Sequence, residues 1–284
     1  MKKIISGKVR EVYEIEGANG AGRLVIVTTD RISAYDVILS KTVKDKGKVL
    51  NALSQFWFDY TKNIVKNHVV SAQLADMPEF FQKPDFEGRT VMVEKLNMLP
   101  FEFIVRGYIF GNMWNAYKDG KEFCGIKIEG DYKQAQKLNA PILTPSTKAS
   151  EGHDIYVSFD YVMNALGKET AEKIRDICMK LYDACYNRAY GKGIIIADTK
   201  FEFGFDKDGN IVLADEIFTP DSSRFWSLAD YKVGMSPKSY DKQFIRDWLT
   251  DNRVNGEMQF DNVPDEIINR TAAIYQECLE KITR

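Results

Sequence analysis

Cysteine is scarce and scattered. Cys124, Cys178, Cys185 and Cys278 are the four in the chain. No two sit at C-x-x-C spacing and no histidine cluster accompanies them, which argues against zinc or a disulfide framework. Three fall in helical-looking stretches, where a buried, reduced thiol is the ordinary outcome. An excess of one charge sign is also missing. With a net charge of −2, nothing in bulk draws the chain to nucleic acid or to an acidic membrane surface, and any anion site must be built locally. No apolar run approaches the ~18 residues of a membrane-spanning helix. The opening MKKIISGKVREVY has lysines but no apolar core, so it does not read as a secretory signal. Internal repeats and low-complexity tracts are absent. These absences fit a cytoplasmic protein that engages neither nucleic acid nor membrane; they leave a homo-oligomer open.

What is present is an ordinary globular composition, 44% hydrophobic and 28% charged over 284 residues, enough for one large domain or two of common size. The first forty residues read as strands: KVREVYEI alternates, GANGAG is a turn and RLVIVTT is a buried strand. From Gly47 to Ile64 the apolar period changes to 3.6, through Leu50, Leu53, Trp57 and Tyr60, predicting an amphipathic helix. RTVMVEKLNMLPFEFIVRGYIFG reads as two strands broken at Pro100. A helix with Ala171, Ile174, Cys178, Leu181 and Cys185 on one face is expected to end at Gly191 as a left-handed cap. The strand GIIIADTKFEFGF follows. Two C-terminal helices are expected, one opened by Ser236 and Pro237 and running through Trp248, the other opened by Pro264. Strands and helices do not alternate strictly, which favours α+β with mostly antiparallel sheets over a doubly wound parallel sheet. The break near Asn97 to Pro100 suggests two domains, 1–97 and 98–284.

The stretch ADTKFEFGFDKDGNIVLADE, residues 197–216, concentrates charge. One side carries Asp198, Lys200 and Glu202; the other carries Phe201, Phe203 and Phe205. A two-residue turn centred on Asp208 and Gly209 sets Glu202 opposite Asp215. Opposed residues lie roughly 4.5–5.5 Å apart at Cβ, and like charges there are destabilising without a cation between them. Hard divalent cations take such oxygens, one or two carboxylates plus substrate phosphates. The plain alternative is a solvated polar face, and a three-residue loop would slip the register by one and send one acid to the other face.

Other clusters are weaker singly. SGKVREVY puts Gly7, Lys8 and Arg10 at a hairpin start, where backbone amides and bases can cradle phosphate or simply form a solvated turn. TTDRISAYD places Ser33 and Asp36 beyond a buried strand, in a loop position that often carries function. FEFIVRGYIFGNMW holds Arg106 between a buried strand and a Gly-rich turn, where it should meet an acid, from the protein or from a ligand. LTPSTKASEGHDI offers Lys148, His153 and Asp154 in a long polar loop. TPDSSRFW crowds Asp221, Ser222 and Arg224 into one turn. Arg suits bidentate carboxylate or phosphate binding, although an Asx-turn with a stacked Arg is the plain reading.

Seven stretches, GKVREVY, TTDRISAYDVIL, KGKVLNALSQFWF, FEFIVRGYIFG, PILTPSTKASEGHD, IIIADTKFEFG and LADEIFTPDSSRFW, occur in order over about residues 7–226. Singly weak and jointly specific, they resemble the phosphoribosylaminoimidazole-succinocarboxamide synthase (SAICAR synthetase) family. The resemblance implies two α+β domains with ATP in the cleft between them, distantly like ATP-grasp enzymes and kinases. It also implies a ligase of purine biosynthesis that joins carboxyaminoimidazole ribonucleotide (CAIR) to L-aspartate with ATP and Mg²⁺, through an acyl phosphate. By similarity, Lys8, Arg10 and Val12 meet the nucleotide, with Glu94, Leu96 and Met98 as the strand beside adenine. Glu202 and Asp215 match Mg²⁺-binding acids and Lys200 a phosphate-side lysine. Arg106, Asn112, Asp221, Ser222 and Arg224 match CAIR-binding positions, and Ser33, Asp36, Lys148, His153 and Asp154 border the aspartate and phosphate pockets. One departure shows: many members have Ser where this chain has Asn112. A small-molecule kinase or a non-catalytic nucleotide-binding protein would share the same cleft.

Overall fold

The computed structural model describes residues 1–15, 22–148 and 154–284. In chain order the strands are β1 (Lys2–Ser6), β2 (Arg10–Glu14), β3 (Arg23–Thr28), β4 (Arg31–Ala34), β5 (Val37–Thr42), β6 (Val69–Ser71), β7 (Thr90–Glu94), β8 (Asn97–Met98), β9 (Phe101–Tyr108), β10 (Lys137–Thr147), β11 (Ile194–Phe205), β12 (Ile211–Ala214) and β13 (Ser223–Ser227). The helices are α1 (Lys46–Thr61), α2 (Asn112–Lys118), α3 (Phe159–Leu166), α4 (Lys168–Tyr190), α5 (Gln243–Asp251) and α6 (Asp265–Thr283). Five strands form one sheet, β1-β2-β3-β7-β6. A second runs β10-β9-β11-β12, with β13 and β8 also on β11, and β4 pairs β5 alone. Every pairing between these strands is antiparallel, so the α+β expectation holds. No helix among the described residues is long and apolar enough to cross a membrane.

The apolar periodicities locate the core. Leu50, Leu53 and Trp57 line the buried face of α1, and Ala171, Ile174, Cys178, Leu181 and Cys185 do the same for α4. Both helices pack into one cluster with the apolar face of β11. There Phe201 and Phe203 are fully buried, with Phe203 5.6 Å from Phe103 and Phe201 5.2 Å from Phe218, ring centre to ring centre. Burying each such ring contributes roughly 1.5–3 kcal/mol. This packing fixes which face of β11 turns the other way, and that face carries the charges.

Two expected boundaries differ. Ser236 and Pro237 do not open a helix. The Ser227 amide donates to the Lys238 carbonyl and Trp226 bridges Ser239, so that stretch runs extended along β13. The helix α5 starts only at Gln243, whose amide donates to Asp241 Oδ1 at 2.7 Å. Gly191 keeps right-handed angles (φ −63°) because α4 continues into a further tight turn, and Gly193 (φ +78°) takes the left-handed position.

Candidate functional site

The acidic hairpin is built one residue out of the expected register. Glu202 pairs with Ala214 and Phe205 with Ile211. The turn therefore holds three residues, with Gly209 at φ +79°. Its cause is Asp206, whose Oδ1 accepts the amides of Asp208 at 3.0 Å and Asn210 at 2.9 Å. That Asx-type capture draws the chain into a longer turn that ends in a left-handed Gly, and it outcompetes the two-residue Asp-Gly turn. A slip of one should have sent Asp215 to the opposite face. It does not, because Asp215 leaves the strand in a left-handed conformation (φ +61°), one that Asp tolerates better than most residues.

The two acids thus still meet, through a cation rather than across the ladder. Lys200 Nζ lies 3.2 Å from Asp215 Oδ2 and 3.1 Å from Glu102 Oε1, and it donates to Glu202. Lys148 caps the other oxygen of Glu202. Arg10 reaches across from β2, with Nη1 2.5 Å from Asp215 Oδ1 and Nη2 against Glu216. Four carboxylates therefore meet three cations in this patch. Burial alone would push the Asp215 carboxyl up, but Arg10, Lys200 and Lys148 hold it well below the usual carboxylate range. Burial pushes Glu102 up, with Glu202 and Asp154 adding to it against Lys200. For Lys200, burial works against the charge, and Glu202, Asp215 and Glu102 more than offset it, raising the ammonium well above its ordinary value.

Two residues back along β11, Asp198 forms a second centre. Its Oδ2 accepts from Arg106 Nη1 at 3.1 Å and from Arg224 Nη1. Arg106 Nε also donates to Thr144 Oγ1 at 2.9 Å. Arg224 Nε is buried with no hydrogen-bond partner. The guanidinium lies against Gly111 (φ +62°), where a Cβ would come within 2.8 Å of Arg224 Nη2; glycine there is what lets the arginine in. Asn112 Nδ2 and Arg106 Nη2 both reach the Tyr156 hydroxyl, at 3.1 and 3.5 Å. Arg106 thus meets an acid, as expected, and the same acid serves Arg224.

Beside it lies a cavity of about 130 Å³ lined by Asp198, Ser222, Arg224, Asp241, Lys242 and Arg246, among others. Asp221 borders it, but its carboxylate is already engaged. Oδ2 lies 2.8 Å from Lys46 Nζ and 3.1 Å from Lys242 Nζ, and Tyr275 donates to Oδ1 at 2.8 Å. Burial raises the Asp221 carboxyl; Lys242 and Lys46 reverse this and hold it low. Lys46 itself is wholly buried, and burial lowers its ammonium.

The remaining candidates are spread over the first sheet, the β4–β5 hairpin, β8 on the second sheet and the segment after β10. Lys8 pairs with Asp36, both half-exposed. Ser33 pairs with Ile38 across that hairpin. Val12 sits mid-strand in β2, facing Ile26. Glu94 lies 2.9 Å from Lys66 and lines a pocket of about 330 Å³ with Arg23, Val70, Lys95 and Lys207. Leu96 and Met98 lie against β11 at Gly204, where a Cβ would sit 2.8 Å from Leu96 Cβ. Asp154 is close enough for its charge to act on Glu102, and His153 lies outside the described residues. Sequence reading missed Glu102, Glu216, Asp198 as an arginine bridge, Tyr156, and the Lys46–Lys242 pair. Glu102 and Arg106 could have been found together, since they share one face of β9 by strand alternation.

His68 is buried beneath this site with Nε2 unpartnered. Burial pushes its imidazole down to about 4 from 6.5, against the Asp215 charge and a hydrogen bond to the Asp215 backbone. The folded state thus holds His68 neutral while the unfolded chain takes up a proton below about pH 6.5. Stability should therefore fall from pH 6.5 towards 4, by up to about 3 kcal/mol from this group. In urea titrations across that range, the wild-type curve should drop more steeply than that of His68→Gln; parallel curves would refute the assignment.

Comparison with known proteins assigns the chain to a family. The family model described as SAICAR synthetase matches residues 3–263. A phosphoribosylaminoimidazole-succinocarboxamide synthase from Lachnospira eligens is 49% identical over 288 residues, covering 99% of this chain and 94% of that protein. The enzyme of the same name from Saccharomyces cerevisiae is 44% identical, covering 99% and 94%. The solved structure of SAICAR synthase from Saccharomyces cerevisiae complexed with SAICAR superposes with a TM-score of 0.88 at 43% identity, covering 99% of this chain and 94% of that one. With matches of this extent, the chain belongs to the SAICAR synthetase family.

Proposed function

We propose that this protein is the ATP-dependent ligase that condenses CAIR with L-aspartate to give SAICAR, ADP and phosphate in purine biosynthesis. One observation carries the reading beyond family membership. A single face of β11 presents an arginine-rich anion centre at Asp198 and a lysine–carboxylate centre at Glu202, four residues and about 13 Å apart along the strand. Such a line can hold opposite ends of one elongated anionic substrate. Arg106, Asn112, Ser222 and Arg224 take the CAIR phosphate end, and the base carboxylate points toward Lys200. The small domain, 1–97, covers the nucleotide: Lys8 and Arg10, with the backbone near Val12, face the ATP phosphates, and Glu94, Leu96 and Met98 border adenine. Ser33, Asp36, Lys148, His153 and Asp154 border the aspartate and phosphate pockets.

Mg²⁺ fits this donor set. Glu202 and Asp215 offer hard oxygens that already converge on one cation, the Lys200 ammonium. Mg²⁺ typically takes one or two carboxylates and completes its shell with substrate phosphates and water. Bound there, the ion would neutralise charge on the ATP phosphates. Phosphoryl transfer needs positioning and charge neutralisation rather than a protein nucleophile. A CAIR carboxylate oxygen attacks the γ-phosphorus and ADP departs. The aspartate amine then attacks the acyl carbon, phosphate leaves, and the amine gives up a proton. Lys200 offsets charge on the transferred group, and the arginines hold the acceptor in line.

The direct test measures ADP release with ATP, CAIR and L-aspartate, omitting each in turn. A ligase needs all three. Full-rate release without aspartate would favour a kinase, and none with any acceptor a binding protein. Arg224→Ala should raise KM for CAIR roughly 10–100-fold, the worth of a charge-assisted hydrogen bond, and leave KM for ATP nearly unchanged. The reverse ranking would mean that the two ends are inverted.

A further inference from the structure

Tyr156 belongs to none of the charged motifs, yet it stands at the anion centre. Its hydroxyl oxygen accepts from Asn112 Nδ2 at 3.1 Å and from Arg106 Nη2 at 3.5 Å. A phenol oxygen has two acceptor sites and one proton. Both acceptor sites face donors, so the proton is what remains to give. Among the described residues, no acceptor takes it. The ring is held in place: Phe123 packs 4.6 Å away, the Arg106 guanidinium lies 5.8 Å from its centre, and the backbone bridges Ser146. A hydroxyl so anchored is aimed rather than free to turn. Arg224, which shares Asp198 with Arg106, keeps a buried Nε without a partner, so this charged centre has a donor that the protein leaves unmet, and a buried unmet donor costs about 1–3 kcal/mol.

We propose that Tyr156 binds the phosphate of the substrate nucleotide, donating its hydroxyl proton to an oxygen held between Arg106 and Arg224, with Asn112 as the positioning residue that points it. The proposal rests on the assignment of this pocket to CAIR made above. Asn112 lies at the start of α2, and its amide directs a hydroxyl from the segment between β10 and α3.

The test compares the whole protein with Tyr156→Phe, which keeps the ring and removes only the hydroxyl. Calorimetry is run with CAIR and with its dephosphorylated nucleoside. Tyr156→Phe should weaken CAIR binding about tenfold, the low end for a hydrogen bond to a charged group, and leave the nucleoside unaffected. KM for CAIR should rise in step, with KM for ATP unmoved. Asn112→Ala should act in the same direction. The double variant should lose less than the sum of the two, because part of the Asn112 effect passes through the tyrosine hydroxyl. Unchanged CAIR affinity in Tyr156→Phe, or equal losses for nucleotide and nucleoside, overturns the role of Tyr156. A wild-type protein that binds nucleotide and nucleoside alike overturns the pocket assignment itself, and the tyrosine's role with it.

Discussion

Glu202→Gln should lower kcat roughly 10²–10³-fold, the scale seen when one preorganised charge-stabilising group is removed from an active site, and Asp215→Asn should do the same. Both substitutions keep size and hydrogen-bonding shape while removing a hard, charged oxygen. Each tenfold loss corresponds to about 1.4 kcal/mol of barrier. The fold should survive, because Lys200 keeps two carboxylate partners in either variant, from among Glu102, Glu202 and Asp215. The half-saturating Mg²⁺ concentration should rise in both, a change that a purely structural lesion would not produce. Steady-state ADP release over a Mg²⁺ series, with circular dichroism melts alongside, reads both effects. Near-parental turnover in both variants would remove the acid pair from the mechanism.

Asp221→Ala should destabilise the protein by about 3–5 kcal/mol, the usual consequence of stripping the counter-charge from a buried ion pair. Lys46 is wholly inside, and Lys242 nearly so; both point at the one carboxylate. Without it, two ammonium groups face each other in a poorly hydrated space and the Tyr275 hydroxyl loses its acceptor. Lys46→Met added to Asp221→Ala should recover part of the loss, since it removes one of the two stranded charges. Urea denaturation of the three proteins at neutral pH measures this. Equal stability of Asp221→Ala and the parent would show that Lys46 and Lys242 find compensation elsewhere. The contact also joins the start of α1 to α6 through the turn that carries Asp221.

The long periodic elements were legible because each has one decisive face. Leu50, Leu53 and Trp57 could only line one side of a helix, and alternation in GIIIADTKFEFGF could only separate phenylalanines from charges. What failed depended on contacts distant in sequence or on side-chain capture of the backbone. Asp206 drew the hairpin into a longer turn, and nothing in the Asp-Gly signal announces that a carboxylate two residues earlier will take the competing amides. Ser236 and Pro237 look like a helix start until β13 claims the stretch. In the candidate site, Lys200, Glu202, Asp215, Arg106 and Arg224 were each legible from charge placed beside apolar runs. Their grouping was not. That Asp198 bridges two arginines, that Glu102 joins the lysine, and that Asp221 is held by Lys46 follow from three chain segments meeting, which no local pattern encodes.

The concentration of function on one strand has a consequence for how this protein can change. Asp198, Lys200 and Glu202 alternate with Thr199, Phe201 and Phe203, and the three charged groups share a single face of β11. Loss or gain of one codon between 198 and 202 would turn part of that row into the core and bring phenylalanine to the surface of the cleft, abolishing activity and packing together. The hairpin tip at 207–209 is solvent-exposed and already carries one residue beyond the tightest turn. Length variation in this segment should therefore collect at the tip and be missing from the strand, so that scanning in-frame insertions across 194–212 would trace the functional face without a single point mutation.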